Sequence, residues 1–380
     1  MGPFSLALFK APFRECGAIP KKTAWFFVEP ARSDAPSFFR GIWYDLELKP
    51  MLISTPQGLY CRAGNFYIDP NRGVENAVVT HAHSDHARRG ANRYFCAESG
   101  LGLLRARLGQ KINAEGIPFG QQFQIGGVKL SFHPAGHILG SAQVRMEYAG
   151  EVWVASGDYK RDADPTCEPF ENVACDVFVT EATFGTPAYR WNKGADLGRE
   201  IHQWWEENAA EGRNSVLFAY SLGKAQRVLG VLAPLARRPV HCDPNSAELT
   251  ACYRGQGISL APTVCLSKIS PATKLRGELL LVPRSFLQSR LAPAIGADYR
   301  TAFASGWMAR GSHNLDKGFV MSDHADWDDL VRTVKESGAR RVYVQHRGAG
   351  ALVRHLKGMG LEAFPEEALV PKNPNQLAFF

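Results

Sequence analysis

The sequence has no Cys-x-x-Cys pair. Its eight cysteines stand at 16, 61, 96, 167, 175, 242, 252 and 265, with irregular gaps. That argues against a zinc ribbon, a thioredoxin-type motif or a disulfide framework, and for free thiols in a reducing cytoplasm. Long apolar runs are missing too: none approaches the roughly 18 residues a membrane span needs, so no membrane partner is expected. The first residues, Met1-Gly-Pro-Phe-Ser-Leu6, lack the charged-then-apolar pattern of a secretory signal, and Leu6 stands where a myristoylation signal has Ser or Thr. A cytoplasmic chain is the expectation. No Walker loop or Gly-x-Gly-x-x-Gly element is present, which removes ATPase and dehydrogenase readings. Ser221-Leu-Gly-Lys224 matches the Ser-x-x-Lys of penicillin-binding enzymes, but its Ser-Asp-Asn and Lys-Thr-Gly partners are absent. Ser221 reads better as a helix cap. Internal repeats and low-complexity tracts are also absent.

What is there has the composition of a folded protein: 380 residues, 45% hydrophobic and 21% charged, with a net charge of +7. That length suits one large domain or two interlocked ones. The first fifty residues hold six prolines and scattered aromatics such as Trp25, Phe26 and Trp43, without periodicity, and read as an N-terminal extension (1–50). From Met51 on, short apolar runs bounded by Gly, Pro and Asp predict strands over 66–69, 77–80, 94–97, 128–133, 143–148, 152–156 and 176–180, with a helix over 99–108. After Thr186 helices are expected over 197–210 and 222–235, and strands over 216–220 and 279–282. Strand and helix alternate again at 319–321, 327–337, 342–345 and 351–359. Charge marks the same boundaries. Between 186 and 304 there are 15 Lys+Arg against 9 Asp+Glu, a net of +6, whereas the rest carries 29 and 28. A basic excess confined to one segment suggests a surface facing a polyanion. Trp191, Trp204 and Trp205 could stack on bases, but core packing is the commoner use of such residues.

The densest chemistry is His81-Ala-His83-Ser-Asp85-His86, which follows the apolar run Ala77-Val-Val-Thr80. A loop turning out of a strand can bring four such side chains together, and imidazole with carboxylate is the donor set zinc or manganese accepts. His133, His202, His241, His313 and His355 have no ligand-like neighbours.

His81-x-His83-x-Asp85-His86 resembles the hallmark of the metallo-β-lactamase fold, and the order of later motifs is similar. Gly136-His137-Ile-Leu-Gly140 resembles the family's lone-histidine motif, and Ser156-Gly-Asp158 the motif whose Asp bridges two metals. Tyr67-Ile-Asp69 fits the strand-end Asp that orients a ligand loop from behind. Thr180-Glu181-Ala-Thr-Phe-Gly185, Ser322-Asp-His324-Ala-Asp326 and Val344-Gln-His346 resemble motifs A, B and C of the β-CASP nucleases. Gly58-Leu-Tyr-Cys61, Tyr220-Ser-Leu-Gly-Lys-Ala-Gln226, Ser305-Gly-Trp-Met308 and Ser322–Trp327 are similar to the bacterial exonucleases associated with ATP-dependent DNA ligases. The likeness runs from Met51 to His355. Two departures stand out: Glu-Ala-Thr replaces Glu-Ser-Thr in motif A, and Arg347-Gly348 replaces a Gly-led pair after His346.

The resemblance implies an αββα sandwich in two parts, 51–185 and 305–380, with an α/β β-CASP domain, 186–304, inserted between them. It implies two divalent ions, zinc or manganese: His81, His83 and His137 on one, Asp85, His86 and His346 on the other, Asp158 shared. Asp69 stands behind the ligands, His324 faces the scissile phosphate as the acid, and Glu181 holds its imidazole. The implied substrate is DNA, as single strands or ends, with an ATP-dependent ligase and a helicase as associates. Competing readings are a ribonuclease J-like RNA-processing enzyme, a catalytically silent nucleic-acid-binding subunit and a small-molecule hydrolase. The first draws on His346, which Artemis-like nucleases tend to lack; the basic insertion weighs against the last.

Overall fold

The computed structural model describes residues 50–270, 273–311, 314–346 and 349–371. The expected N-terminal extension up to residue 49 and the Arg347-Gly348 pair lie outside the described residues.

Strands β1 (Leu52–Thr55), β2 (Gly58–Cys61), β3 (Phe66–Ile68), β4 (Asn76–Val78), β5 (Arg93–Ala97) and β6 (Ala114–Ile117) form a first sheet in sequence order. Next come β7 (Gln122–Ile125), β8 (Val128–Pro134), β9 (Ala142–Tyr148), β10 (Glu151–Ala155) and β11 (Val177–Thr180). A third sheet follows, from β12 (Asn214–Phe218), β13 (Val240–Cys242), β14 (Thr263–Cys265), β15 (Leu279–Val282), β16 (Tyr299–Ala304) and β17 (Lys317–Phe319). The chain returns to the second sheet with β18 (Arg341–Val344) and β19 (Glu362–Pro365), giving the order β19-β18-β11-β10-β9-β8-β7.

Alternation decides which side chains face which layer. Val78 points between the first two sheets, where Phe66, Phe95, Phe132, Val144, Trp153 and Val179 interlock. Its neighbours Ala77 and Val79 point the other way, onto helix α1 (Leu101–Leu108). On the far side of the second sheet, Val154, Phe178 and Val342 are covered by Leu330 and Val334 of an α-helix at Trp327–Ser337 and by Leu352 and Leu356 of another at Ala349–Gly358. Central strands are apolar on both faces because both faces are covered. This is the metallo-β-lactamase αββα sandwich, and the third, wholly parallel sheet is the core of the inserted α/β body.

Helix α2 (Leu197–Ala210) lays Ile201, Trp204 and Trp205 on that third sheet. Both tryptophans are core residues, and the Trp205 indole N–H donates to the Gly277 carbonyl at 3.0 Å. Helix α3 (Lys224–Leu232) begins later than the apolar pattern suggested. Ser221 does not cap it. Gly223 holds the cap position, and its N–H is taken by the Gln226 side chain at 2.8 Å. Helix α4 (Pro244–Gly255) was missed in the sequence although Asp243 caps it and Pro244 opens it. The sheet of the inserted body also runs past Ala304, since its edge strand β17 ends at Phe319, where the expected strand was to begin. None of the described helices is long and apolar enough to cross a membrane. With α4 placed, the helices over Trp327–Ser337 and Ala349–Gly358 are α5 and α6.

The His137 loop is held by close backbone packing against the start of α1. Gly140 sits at φ +69°, and a Cβ there would stand 2.1 Å from the Gly100 nitrogen. Gly150, at φ +82°, has open space around it. Gly140→Ala should therefore cost about 3 kcal/mol or more, strain and overpacking combined, against about 1 kcal/mol for Gly150→Ala. Denaturant titration of the two variants checks the difference.

Candidate metal centre

Apart from His324, which stands in the loop between β17 and α5, the candidate residues lie just beyond the carboxyl ends of strands. Asp69 follows β3, His81–His86 follow β4, His137 follows β8, Asp158 follows β10, Glu181 follows β11 and His346 follows β18. Two of them, Asp69 (φ +44°) and His346 (φ +69°), adopt left-handed backbone that a non-glycine residue takes only when its surroundings impose it.

Hydrogen bonds behind the histidines fix which nitrogen carries the proton. A carbonyl can only accept, so His137 Nδ1–H donates to the Asp323 carbonyl at 2.7 Å and His83 Nε2–H to the Leu222 carbonyl at 3.2 Å. Asp69 accepts the Thr80 N–H at 2.7 Å and the Thr80 hydroxyl at 2.6 Å, and its Oδ2 lies 2.7 Å from His86 Nδ1. With its proton committed to Asp69, the Thr80 oxygen accepts from His81 Nδ1–H at 3.0 Å. Three imidazoles, those of His81, His83 and His137, thus turn unprotonated nitrogens inward.

Those nitrogens converge. His83 Nδ1 is 3.1 Å from His81 Nε2 and 3.0 Å from His137 Nε2, and Asp158 Oδ2 is 3.6 and 3.8 Å from the latter two. Ligands placed tetrahedrally around zinc at its usual bond length stand about 3.3 Å apart. Lone pairs so close repel unless a cation lies between them. Asp158 supplies a second sign: its Oδ1 is buried and accepts no hydrogen bond. The donor set, the spacing and the orphaned oxygen fit a divalent ion. Burial holds His81 and His83 below the ordinary imidazole value and pushes His137 down to about 3, so all three are neutral donors.

The second set is looser. His86 Nε2 lies 3.4 Å from Asp158 Oδ2 and 3.8 Å from Asp85 Oδ2, and His346 Nε2 lies 3.7 Å from Asp158 Oδ1. Asp85 and His346 are exposed, their side chains 70% and 41% accessible, so this side of Asp158 opens to solvent. Burial opposes ionisation of Asp158, but His86 and His324 overcome it and hold the carboxyl well below its usual range.

His324 stands on the other flank, its Nδ1 3.0 Å from Glu181 Oε2 and 4.0 Å from Asp158 Oδ2. Glu181 is fully buried and is itself fixed by the Tyr159 N–H at 2.7 Å. Burial works against the imidazolium, yet Glu181 and then Asp158 prevail and lift His324 to about 9. Asp326 caps α5 by accepting the Asp329 N–H at 2.9 Å, which leaves His324 free of that duty. The Trp191 indole N–H donates to the His324 carbonyl at 3.0 Å.

Sequence reasoning missed the residues that hold this set from behind: Thr80, Tyr159, Trp191, Leu222, Lys224 and Asp323. Lys224 is buried and ion-paired with Asp323. The usable signal was the Gly-Lys step of Tyr220–Gln226, read above as part of a likeness and of a Ser-x-x-Lys match. The +6 of the inserted segment also overstates its free charge. Acidic residues outside the segment already pair with it: Asp328 with Arg190, Asp164 with Arg227 and Asp316 with Arg300.

No protein-family model matches the chain. A protein named Probable DNA ligase from Opitutus terrae is 33% identical over 322 residues, 83% of this chain and 31% of that protein. An RNase J-like protein of Methanocaldococcus jannaschii is 25% identical over 214 residues, 48% of this chain and 50% of its own length. Endoribonuclease YSH1 of Saccharomyces cerevisiae is 30% identical over 122 residues, 31% of this chain and 15% of that one. The chain thus spans half or less of each of these relatives. Together with the fold they support a place in the metallo-β-lactamase/β-CASP family, and the first of them supports a link to DNA ligases.

In metal-free protein the His324 imidazole should titrate near 9, and Glu181→Gln should lower that value, because burial then acts with less opposition. A folded value above the unfolded one means that this pair stabilises fully below about pH 6.5, and that its contribution fades as pH rises through about 9. Histidine-resolved NMR titration checks both.

Proposed function

We propose that this chain is a metal-dependent nuclease that trims DNA ends, preferring single strands, in the company of an ATP-dependent DNA ligase and a helicase. The observation that carries the reading is the His324–Glu181 pair beside Asp158, with ligand-type histidines on the far side of the same carboxylate. His81, His83 and His137 would hold one ion, Asp85, His86 and His346 a second, with Asp158 shared, zinc and manganese being the ions this donor set suits. When bound, such a pair of ions activates water at neutral pH and holds phosphate oxygens.

The chain's own residues supply the rest. His324 presents its Nε2 away from Glu181 and is protonated at neutral pH, so it can give a proton to the departing oxygen. Glu181 keeps Nδ1 occupied, which fixes the ring's orientation through the transfer. Asp69 and the Leu222 and Asp323 carbonyls keep the ligand rings from turning. Tyr220 and Trp307 expose their rings, 54% and 46%. Tyr220 lies two residues before the carbonyl that faces His83, and Trp307 packs on Phe184, whose ring is 5.9 Å from His324. Flat faces so close to the centre suit the stacking of unpaired bases. The DNA assignment leans on the ligase-named relative, which matches most of the chain. The ribonuclease relatives favour the second reading, RNA processing, over a shorter span. A cytoplasmic site of action belongs to the same proposal.

The test is single-turnover cleavage of matched, end-labelled DNA and RNA, single- and double-stranded. Single-stranded DNA should be cut fastest, while faster cleavage of RNA would overturn the assignment. Asp158→Ala should abolish cleavage, and His324→Ala should slow it by roughly 10²–10⁴ with metal content unchanged. Loss of metal in His324→Ala would make His324 a ligand instead.

A further inference from the structure

The histidines around Asp158 belong to the sandwich, but two of the groups that orient them depend on the inserted body. The turn from β12 into α3 carries Leu222, Gly223 and Lys224. The Leu222 carbonyl accepts from His83 Nε2–H at 3.2 Å, which commits the other nitrogen of that ring to the pocket. Gly223 lies at φ +82°, and a Cβ there would stand 2.5 Å from Ile138 Cγ2 and 3.5 Å from His83 Nε2. The turn is therefore pressed against both the His83 loop and the His137 loop, with Leu222, Ile138 and Leu139 in one buried cluster with Leu103.

Lys224 reaches in from the same turn and pairs with Asp323, both side chains almost wholly buried. The Asp323 carbonyl is the acceptor that fixes His137 Nδ1–H at 2.7 Å, and the next residue is His324. Arg227, one turn along α3, donates to the Ser322 carbonyl, so two cations of the inserted body grip the residues just ahead of His324. A charge pair taken out of water is costly to keep unless its geometry is well satisfied, and a buried carboxylate left without its cation is costlier still. Lys224 thus sets where the 322–324 segment can lie.

We infer that the Leu222–Lys224 turn of the inserted body is a positioning element of the first metal site, Leu222 acting on His83 directly and Lys224 acting on His137 through Asp323. This rests on the metal-centre reading above and extends it. The insertion completes the centre as well as covering it. The charge of Lys224 is spent on Asp323. Its role is to hold the carbonyl that holds the ligand, a form of outer support whose loss typically costs about 10–100-fold in metal affinity.

The experiment is competition for zinc between a chromogenic chelator and the full chain, run on wild type, Lys224→Met, Lys224→Arg and the charge-neutral pair Lys224→Met/Asp323→Asn. Wild type should hold two ions. Lys224→Met should hold the tighter of them about 10–100-fold more weakly, and excess zinc should restore its cleavage rate. Lys224→Arg should bind like wild type, since the cation survives. The neutral pair, which carries no unpaired buried charge, should fold and still bind weakly. A merely structural role would lower the melting temperature of the metal-free protein and leave zinc affinity alone, and that outcome in Lys224→Met overturns the inference. If Lys224→Met does not fold, the neutral pair decides: wild-type affinity there overturns it as well. A wild type that holds no metal would instead sink the metal-centre reading itself, so the two failures are distinct.

Discussion

The structure depends on one buried carboxylate. Asp158 lies within 4.0 Å of imidazole nitrogens from His81, His86, His137, His324 and His346, and one of its oxygens accepts no hydrogen bond. The rings of His81, His86, His137 and His324 are each fixed by a partner on the side away from Asp158, so these four cannot relax by turning to share a proton. Such a cluster is stable only with positive charge among its members. The three histidines on the closed side are driven neutral by burial, while carboxylates raise His86, His324 and His346 on the other flanks above the ordinary imidazole value, His324 to about 9. That asymmetry places neutral imidazoles and a raised one within a few ångströms of the same carboxylate.

The fold produces the asymmetry through where strands end. Parallel strands deliver their carboxyl ends to one edge of the sandwich, and each loop there contributes one or a few donors. The contributors lie far apart in sequence, from Asp69 to His346, so the site reports on the whole sandwich having closed. The inserted body adds a second constraint from outside, through a turn that packs on two ligand loops and a lysine that reaches the residue before His324.

Much of this was legible in the sequence because its chemistry is local. His81, His83, Asp85 and His86 crowd one loop, and α2, α5 and β15 coincide with the apolar patterns that announced them. The illegible part was non-local. Nothing in Leu222 or Asp323 by itself says that its backbone carbonyl will choose a histidine's tautomer, since that depends on loops 139 and 186 positions distant closing together. Lys224 looked like a fragment of another enzyme's motif until its partner was in view. Strands β1, β2, β6, β7, β13, β14, β16 and β19 were missed, all but β16 being only three or four residues long, and β17 was displaced because Phe319 ends it. Net charge misled in a milder way: counting residues cannot tell a cation that faces solvent from one already paired inside.

The most direct test of the central claim is anomalous diffraction from crystals grown with zinc or manganese, measured at the absorption edge of the added ion. Two peaks should flank Asp158, one enclosed by His81, His83 and His137 and the other toward Asp85, His86 and His346. Density that leaves Asp158 without a neighbouring ion, or that lies against His324 and Glu181 instead, would contradict the account.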